Sequence, residues 1–207
     1  MAVRRAATQF YGGVTVFKNI FILGAGRSGK TTLAKMIAKK YGYSIISIDD
    51  IVTAMEAFPD LNIAWNGEHG AVAEKMAPFL AMYLQELSEG PVFYGGCKTV
   101  IEGTAIDLDR LIPAVNRRKY LLIGLTYCQT TAEELFQNVR KYDTEDDWTY
   151  YLTDEQLKSY CEISVERNKY FDEKCKEHRI ATYDTSSDRE AVFADIVAHL
   201  EEQCQWE

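Results

Sequence analysis

Eight consecutive residues near the start of the chain constrain its fold more than any other feature. Residues 24–31 read Gly-Ala-Gly-Arg-Ser-Gly-Lys-Thr and match the pattern G-x-x-x-x-G-K-[ST] at every fixed position. The apolar run Phe17–Leu23 comes directly before the motif, and a helical pattern with Leu33 and Ile37 follows it. A strand, a glycine-rich turn and a helix in this order surround one anion with main-chain N–H groups and the positive end of a helix dipole. The motif therefore predicts a phosphate-binding loop.

The side chains of the motif indicate what kind of phosphate compound the loop binds. We expect Lys30 to reach the β- and γ-phosphates of a nucleotide and the Thr31 hydroxyl to complete the coordination shell of Mg²⁺. The residues predicted to contact the nucleotide are Gly24, Gly26, Arg27, Ser28, Gly29, Lys30, Thr31 and Thr32. The motif thus predicts a nucleotide bound together with Mg²⁺.

The rest of the chain alternates short apolar runs with longer segments of helical period. This alternation is typical of a parallel sheet covered by helices on both faces. The five predicted strands are Phe17–Leu23, Ser44–Ile48, Lys98–Ile101, Tyr120–Tyr127 and Ile180–Tyr183. No linker, repeat or low-complexity run divides residues 1–207, so we expect a single α/β domain that forms a three-layer α/β/α sandwich.

Capping sequences mark the starts of several predicted helices. The three capping boxes are Thr131-x-x-Glu134, Thr153-x-x-Gln156 and Ser187-x-x-Glu190. A further helical stripe runs from Ala71 to Leu87, and Pro78 inside it predicts a kink or a later helix start. Residues 91–97, which contain two consecutive glycines, are compatible with either a loop or a small hairpin.

Charge and cysteine content argue against several other classes of protein. Asp and Glu together number 31 against 23 Lys and Arg, so the 207-residue chain has a formal net charge of -8. An acidic surface repels nucleic acid and anionic lipid, so we expect no nucleic-acid partner and no membrane. The five cysteines include no Cys-x-x-Cys pair and the three histidines are scattered. This pattern favours reduced thiols in a cytoplasmic protein over disulfides or a zinc site.

The signatures of two other nucleotide-binding classes are missing from the sequence. A GTPase of the Ras type needs Asn-Lys-x-Asp to read guanine, whereas residues 168–171 read Asn-Lys-Tyr-Phe. A transporter-type ATPase needs Leu-Ser-Gly-Gly-Gln, whereas residues 87–90 read Leu-Ser-Glu-Gly. A small phosphotransferase is the class that remains.

Four features of the sequence together resemble one group of enzymes. They are the motif at 24–31, a second strand that ends in Asp49-Asp50, a third that ends in Val100–Gly103 and a fifth that runs into Tyr183–Ser186. From about Lys18 to Leu200 the chain resembles the P-loop kinases, which include nucleoside monophosphate kinases, shikimate kinase and gluconate kinase. The resemblance implies a P-loop NTPase fold with a parallel sheet in the order 2-3-1-4-5. It also implies ATP as phosphoryl donor, a mobile helical lid over ATP and an acceptor site opposite it.

Carboxylates near the ends of the predicted strands are candidate catalytic or metal-binding groups. Asp49 and Asp50 follow the second strand, where either one could hold Mg²⁺ through water or accept the proton of an attacking hydroxyl. Asp50 is the favoured catalytic residue, and the alternative is that one of the pair caps a helix over Ile51–Ala57. Glu102 ends the third strand, where it either tunes the waters of the metal, holds the acceptor or is a solvated strand end. The predicted metal-binding residues are Thr31, Asp49 and Glu102.

The resemblance also implies roles for lid arginines and for a loop near adenine. In such kinases, arginines of the lid neutralise the transferring phosphoryl group, which here indicates Arg140 and Arg167 and a lid over about 140–153. This segment is acidic, whereas such lids are rich in arginine. The alternative is that Arg140 complements its helix C-terminus and that Arg167 pairs with acidic neighbours on the surface. The residues implied to pack against adenine are Asp184, Thr185 and Ser186.

The region between about residues 50 and 80 is the predicted acceptor region. It contains Glu56, Phe58, Trp65, Asn66, Glu68 and His69. Acidic and aromatic side chains suit a neutral or cationic acceptor, although Arg110 leaves recognition of a phosphate or carboxylate open.

These observations predict ATP- and Mg²⁺-dependent phosphoryl transfer to a small-molecule acceptor. One alternative is a nucleotide-dependent regulatory ATPase that has no acceptor. Another is a toxin-like kinase that acts on a sugar nucleotide. A homodimer is compatible with the sequence, which leaves the oligomeric state open.

Overall fold

A computed structural model describes residues 19–65, 69–89 and 98–203 of the chain. The described strands are β1 (Asn19–Gly24), β2 (Ser44–Ser47), β3 (Thr99–Gly103), β4 (Tyr120–Thr126) and β5 (Ala181–Asp184). The described α-helices are α1 (Lys30–Tyr41), α2 (Ile48–Met55), α3 (His69–Glu89), α4 (Leu108–Leu111), α5 (Ala132–Tyr142), α6 (Asp154–Glu177) and α7 (Arg189–Gln203). Strands and helices alternate along the chain, as the apolar runs predict.

The five strands form one parallel sheet in the order β2-β3-β1-β4-β5, which confirms the predicted fold class and strand order. Helices cover both faces, so the central strand β1 is buried along its whole length. Phe21 and Leu23 of β1 pack into a cluster with α2, α3 and α4. Ile20 and Ile22 point to the opposite face and pack against α1 and α7. The alternation of side chains along a strand thus joins the two halves of the core.

A third apolar cluster lies between α5 and α6, away from the two main faces of the sheet. Leu135, Phe136 and Val139 of α5 pack there against Leu157 and Cys161 of α6. Both helices begin with the predicted capping boxes, at Thr131 and at Thr153. The cluster packs α5 against α6 and so fixes both ends of the segment between them, residues 143–153.

The structure corrects several predicted boundaries. Strand β2 ends at Ser47 rather than Ile48, and the Ser47 side chain caps α2, so neither Asp49 nor Asp50 is the helix cap. Both aspartates lie in the first turn of α2 instead of ending the strand. Asp188 rather than Ser187 caps α7, because its carboxylate accepts a hydrogen bond from the N–H of Ala191.

Other predictions concern Pro78 and residues that the structure does not describe. Helix α3 begins at His69 and runs through Pro78, so the predicted later start is wrong. The segment 91–97 lies outside the described residues, as do Phe17, Lys18, Asn66 and Glu68. None of the described helices is both long enough and apolar enough to cross a membrane.

Candidate nucleotide and acceptor site

The loop between β1 and α1 has the backbone shape that a phosphate cradle needs. Gly29 has a φ of 91°, in the left-handed region that favours glycine, and a Cβ atom there would lie 2.8 Å from the ring of Phe193. Arg27 also has a positive φ, 64°. Ser28 is fully buried, and its N–H donates to the carbonyl of Ala25 at 3.3 Å, so the neighbouring residues of the loop line the cleft instead. The loop therefore fits an anion held by main-chain N–H groups.

Lys30 begins α1 directly after the loop and is almost completely buried, with 5% of its surface exposed. Its ammonium donates a hydrogen bond to the carbonyl of Ala25, with a distance of 2.9 Å from Nζ to O. Burial lowers the pKa of Lys30, whereas the negative charges of Asp49 and Glu102 act to raise it and Arg27 acts to lower it. A cation buried next to an anion cradle is suited to hold a phosphate group, which would supply a further negative partner.

Asp49 and Glu102 place oxygen ligands beside Lys30. Asp49 accepts hydrogen bonds from the backbone N–H of Thr104 at 2.8 Å and from its hydroxyl at 2.9 Å. Glu102 is inside β3 rather than at a solvated strand end, and only 3% of it is exposed. Burial raises the pKa of Glu102, Lys30 lowers it, Asp49 raises it, and hydrogen bonds from Ser47 and Thr31 lower it. The three predicted metal-binding residues are therefore near one another around Lys30.

This set of oxygen atoms fits Mg²⁺. Magnesium prefers hydroxyl, carboxylate and water oxygens, and proteins bind it through one or two carboxylates together with substrate phosphates. Thr31, Asp49 and Glu102 offer such ligands next to the phosphate cradle. Within residues 19–65, 69–89 and 98–203, no group of three or more His, Cys, Asp and Glu side chains is arranged to hold a metal by itself.

A cleft of about 1770 Å³ opens at the edge of the sheet where the strands end. Pockets for one small ligand usually measure roughly 300 to 1000 Å³, so this cleft is large enough for a nucleotide and a second small molecule. The loop, Asp49, Asp50 and Thr104 line its centre. Beyond them it is lined by residues of α2, α4 and α6 and by Trp65. Part of the predicted acceptor region therefore faces the same space as the phosphate cradle.

Solved structures of a similar fold include small-molecule kinases. A shikimate kinase from Bacteroides thetaiotaomicron is 20% identical, with a TM-score of 0.54 over 89% of this chain and 96% of that chain. A shikimate kinase from Acinetobacter baumannii, in complex with shikimate, is 15% identical, with a TM-score of 0.55 over 92% and 97%. A sugar kinase from Janibacter sp. HTCC2649 is 15% identical, with a TM-score of 0.52 over 89% and 95%. The fold is that of the small P-loop kinases.

At the level of sequence, no family model and no curated protein matches the chain. The likeness to the P-loop kinases is therefore one of fold, and it extends over nearly the whole of each chain. The roles of individual residues must be argued from the geometry of this chain.

Of the two arginines predicted to act on the phosphoryl group, Arg167 of α6 lines the cleft and Arg140 does not. Arg140, at the end of α5, directs its guanidinium to the carbonyls of Thr149 and Leu152 and to the carboxylate of Asp154, 2.9 Å away. The guanidinium of Arg140 thus connects the end of α5 to the segment 143–153 instead of lining the cleft, which favours a structural role.

The loop after β5 joins the P-loop to β4 and does not line the cleft. The carboxylate of Asp184 accepts hydrogen bonds from the N–H groups of Cys128 and Ser186. The hydroxyl of Thr185 donates to the carbonyl of Thr126 at 3.0 Å and to that of Ser28 at 3.3 Å. None of Asp184, Thr185 and Ser186 lines the cleft, and their side chains stabilise the loop.

Two residues of the cleft were not predicted from the sequence. Arg189, the first residue of α7, donates to the carbonyl of Arg27 at 3.3 Å, and its guanidinium lies 4.9 Å from the ring centre of Tyr142. Tyr160 of α6 covers the loop so closely that a Cβ atom on Gly26 would lie 2.2 Å from the tyrosine hydroxyl. Nothing in the sequence signals the contact of Arg189 with Arg27 or that of Tyr160 with Gly26, because each joins segments more than a hundred residues apart.

Proposed function

We propose that the protein transfers a phosphoryl group from ATP to a hydroxyl group of a small-molecule acceptor. The observation that carries the proposal is the position of Lys30, buried between an anion cradle and two carboxylates at the end of a large cleft. The likeness of the fold to small-molecule kinases supports the same reaction class. ATP is the donor, and Mg²⁺ accompanies it.

Phosphoryl transfer requires positioning and neutralisation of charge more than covalent chemistry. The loop N–H groups and Lys30 hold the phosphates of the donor. When bound, Mg²⁺ neutralises negative charge on the phosphate oxygens. Thr31, Asp49 and Glu102 are the residues proposed to hold the metal and its waters.

The two adjacent aspartates suit different tasks. Asp49 is fixed by two hydrogen bonds from Thr104, which favours a role in holding metal-bound water. Asp50 is exposed and lines the cleft, which favours a role in orienting the acceptor hydroxyl or accepting its proton. Asp50 therefore remains the proposed catalytic residue, and Asp49 the proposed metal-binding one.

The charges around the acceptor side of the cleft favour a neutral or cationic acceptor. Arg110 is paired with Glu74 at 2.5 Å and with Asp107 at 3.3 Å. Lys174 is paired with Asp109 at 2.9 Å and with a glutamate of its own helix. Because carboxylates of the protein already neutralise these cations, a highly anionic acceptor would have to compete for them.

Transfer of label from γ-labelled ATP to a panel of small hydroxyl compounds tests the proposed function. The panel contains neutral, cationic and anionic compounds. The Lys30→Ala variant is the negative control. We expect turnover that depends on both Mg²⁺ and an acceptor in the wild type, and none in the variant. Hydrolysis of ATP that no acceptor stimulates would contradict the proposal and favour a regulatory ATPase.

A further inference from the structure

The lid segment, residues 143–153, meets the P-loop through an ion-pair network. The side chain of Arg27, with 15% of its surface exposed, extends from the loop to two carboxylates of the lid. Its Nη2 atom lies 2.8 Å from Oδ1 of Asp143, and its Nη1 atom contacts Oδ1 of Asp147. The lid therefore contributes carboxylates to this contact, and the loop contributes the cation.

Both carboxylates are held in place from the lid side. Asp143 is almost completely buried, accepts a hydrogen bond from the Thr149 hydroxyl at 2.6 Å and lies 3.6 Å from Nη1 of Arg140. Asp147 accepts hydrogen bonds from the N–H and the hydroxyl of Thr144, at 3.0 and 3.1 Å. A guanidinium gripped by two fixed carboxylates has little freedom to move.

The same network neutralises two carboxylates of the lid. Arg27 and Arg140 together balance Asp143 and Asp147, so these four side chains carry no net charge. Arg27 has five N–H donors, and its two lid contacts leave others for a ligand. Arg27 also lines the cleft beside the phosphate cradle.

We propose that Asp143 and Asp147 are positioning residues for Arg27, which they hold against the phosphate groups of the bound nucleotide. This inference rests on the proposed function. It reverses the arrangement that the kinase resemblance implies, in which the lid itself supplies the arginines. Closure of the lid and placement of Arg27 beside the phosphates become two consequences of one contact, and this gives Asp143 and Asp147 of the acidic lid a role.

A double-mutant cycle on Arg27→Ala and Asp147→Asn tests this proposal without knowledge of the acceptor. The measured quantities are the Kd values of Mg²⁺–ADP and of Mg²⁺–ADP–aluminium fluoride, which mimics the transferring phosphoryl group. We expect Asp147→Asn to weaken binding of the mimic about tenfold or more, because a misplaced charge stabilises the mimic poorly. Binding of ADP alone should weaken less than binding of the mimic, because ADP lacks the group that stands for the transferring phosphoryl.

The cycle distinguishes a positioning role from a direct one. If Asp147 acts only through Arg27, adding Asp147→Asn to Arg27→Ala causes no further loss, and Asp147→Glu restores part of the affinity. The matched control is Asp146→Asn, which removes an exposed charge of the same segment and should leave both Kd values unchanged. Additive losses, or equal losses in the control, overturn the proposal.

Failure of the proposed function gives a different result in the same experiment. In that case the wild type binds the mimic no more tightly than ADP, or Lys30→Ala leaves both Kd values unchanged. When Lys30→Ala weakens binding as expected and the cycle is additive, the lid proposal alone is wrong. Circular dichroism and thermal unfolding of each variant show that altered binding does not come from loss of the fold.

Discussion

Neighbouring residues in this site differ in role because they differ in their partners. Asp49 and Asp50 have the same side chain and adjacent positions in α2, yet only Asp49 is tied to Thr104. Asp50 remains exposed to the cleft. Position on the helix therefore separates a proposed metal-binding carboxylate from a proposed catalytic one.

Asparagine variants of the two aspartates are expected to differ in kinetics. Asp50→Asn should lower kcat by about a hundredfold or more and leave the KM for ATP nearly unchanged, because it removes a proton acceptor. Asp49→Asn should instead raise the Mg²⁺ concentration needed for half-maximal rate. Initial rates measured over a grid of ATP and Mg²⁺ concentrations separate the two effects. An unchanged kcat in Asp50→Asn would contradict its catalytic role.

The raised pKa of Glu102 predicts a pH dependence of stability. Because burial raises this pKa above its ordinary value of 4.5, the folded protein keeps a proton that the unfolded chain has already released. Unfolding then releases a proton, and the contribution of Glu102 to the free energy of unfolding falls as pH rises from 4.5 through the raised pKa.

Urea unfolding of wild type and Glu102→Gln between about pH 5 and pH 8 measures this contribution. Relative to the variant, the wild type should lose stability as pH rises. Glu134→Gln is the control, because hydrogen bonds from Thr131 lower the pKa of Glu134. The contribution of Glu134 is lost only as pH falls below the ordinary value of 4.5, so it should stay constant over this range of pH. Parallel curves for wild type and Glu102→Gln would contradict the prediction.

At the scale of helices and strands, the periodicity of apolar residues predicted which segments are helices or strands. Local capping contacts determine the residue at which each helix begins. The strands follow from apolar runs that the sequence displays directly, whereas their order followed from the resemblance to the P-loop kinases. The end of β2 was misplaced because Ile48 is apolar in either a strand or a helix. The cap of α7 was misplaced because Ser187 and Asp188 are both favoured cap residues, and only the helix start distinguishes them.

The correction at α7 is testable by substitution. Asp188→Ala should lower the free energy of unfolding by about 1 kcal/mol, because the N–H of Ala191 loses its acceptor. Ser187→Ala, one position earlier, should change it by less than about 0.5 kcal/mol. Urea denaturation of both variants makes the comparison. A larger loss in Ser187→Ala would mean that the cap was assigned to the wrong residue.

Across the whole molecule, the site combines parts that a sequence pattern reveals with parts that it cannot. The loop motif predicted Lys30 and the glycines, because one short segment contains all of them. The ion pairs of Arg27 with the lid join residues 27 and 147, and no local pattern encodes a contact over that distance. The cleft likewise extends from the end of β1 to α7, so residues from both ends of the described chain line it.

A ligand that contacts such distant segments should stabilise the whole molecule. At a concentration one hundred times its Kd, a Mg²⁺–ATP analogue contributes about 2.7 kcal/mol. For a chain of this size, that amount raises Tm by about 5 to 10 °C. Lys30→Ala should show little of this shift, whereas Lys35→Ala, an exposed lysine of the same helix, should show all of it. Equal shifts in both variants, measured by calorimetry, would contradict the assigned site.

The close approach of Tyr160 to Gly26 has a consequence for related sequences. An alanine at position 26 would collide with the tyrosine hydroxyl but not necessarily with the ring, since the hydroxyl is the atom 2.2 Å away. Relatives that carry a larger residue at position 26 should therefore have phenylalanine or a smaller side chain at position 160. Evolutionary covariation of these two columns would record a steric constraint between the phosphate-binding loop and the longest of the described helices.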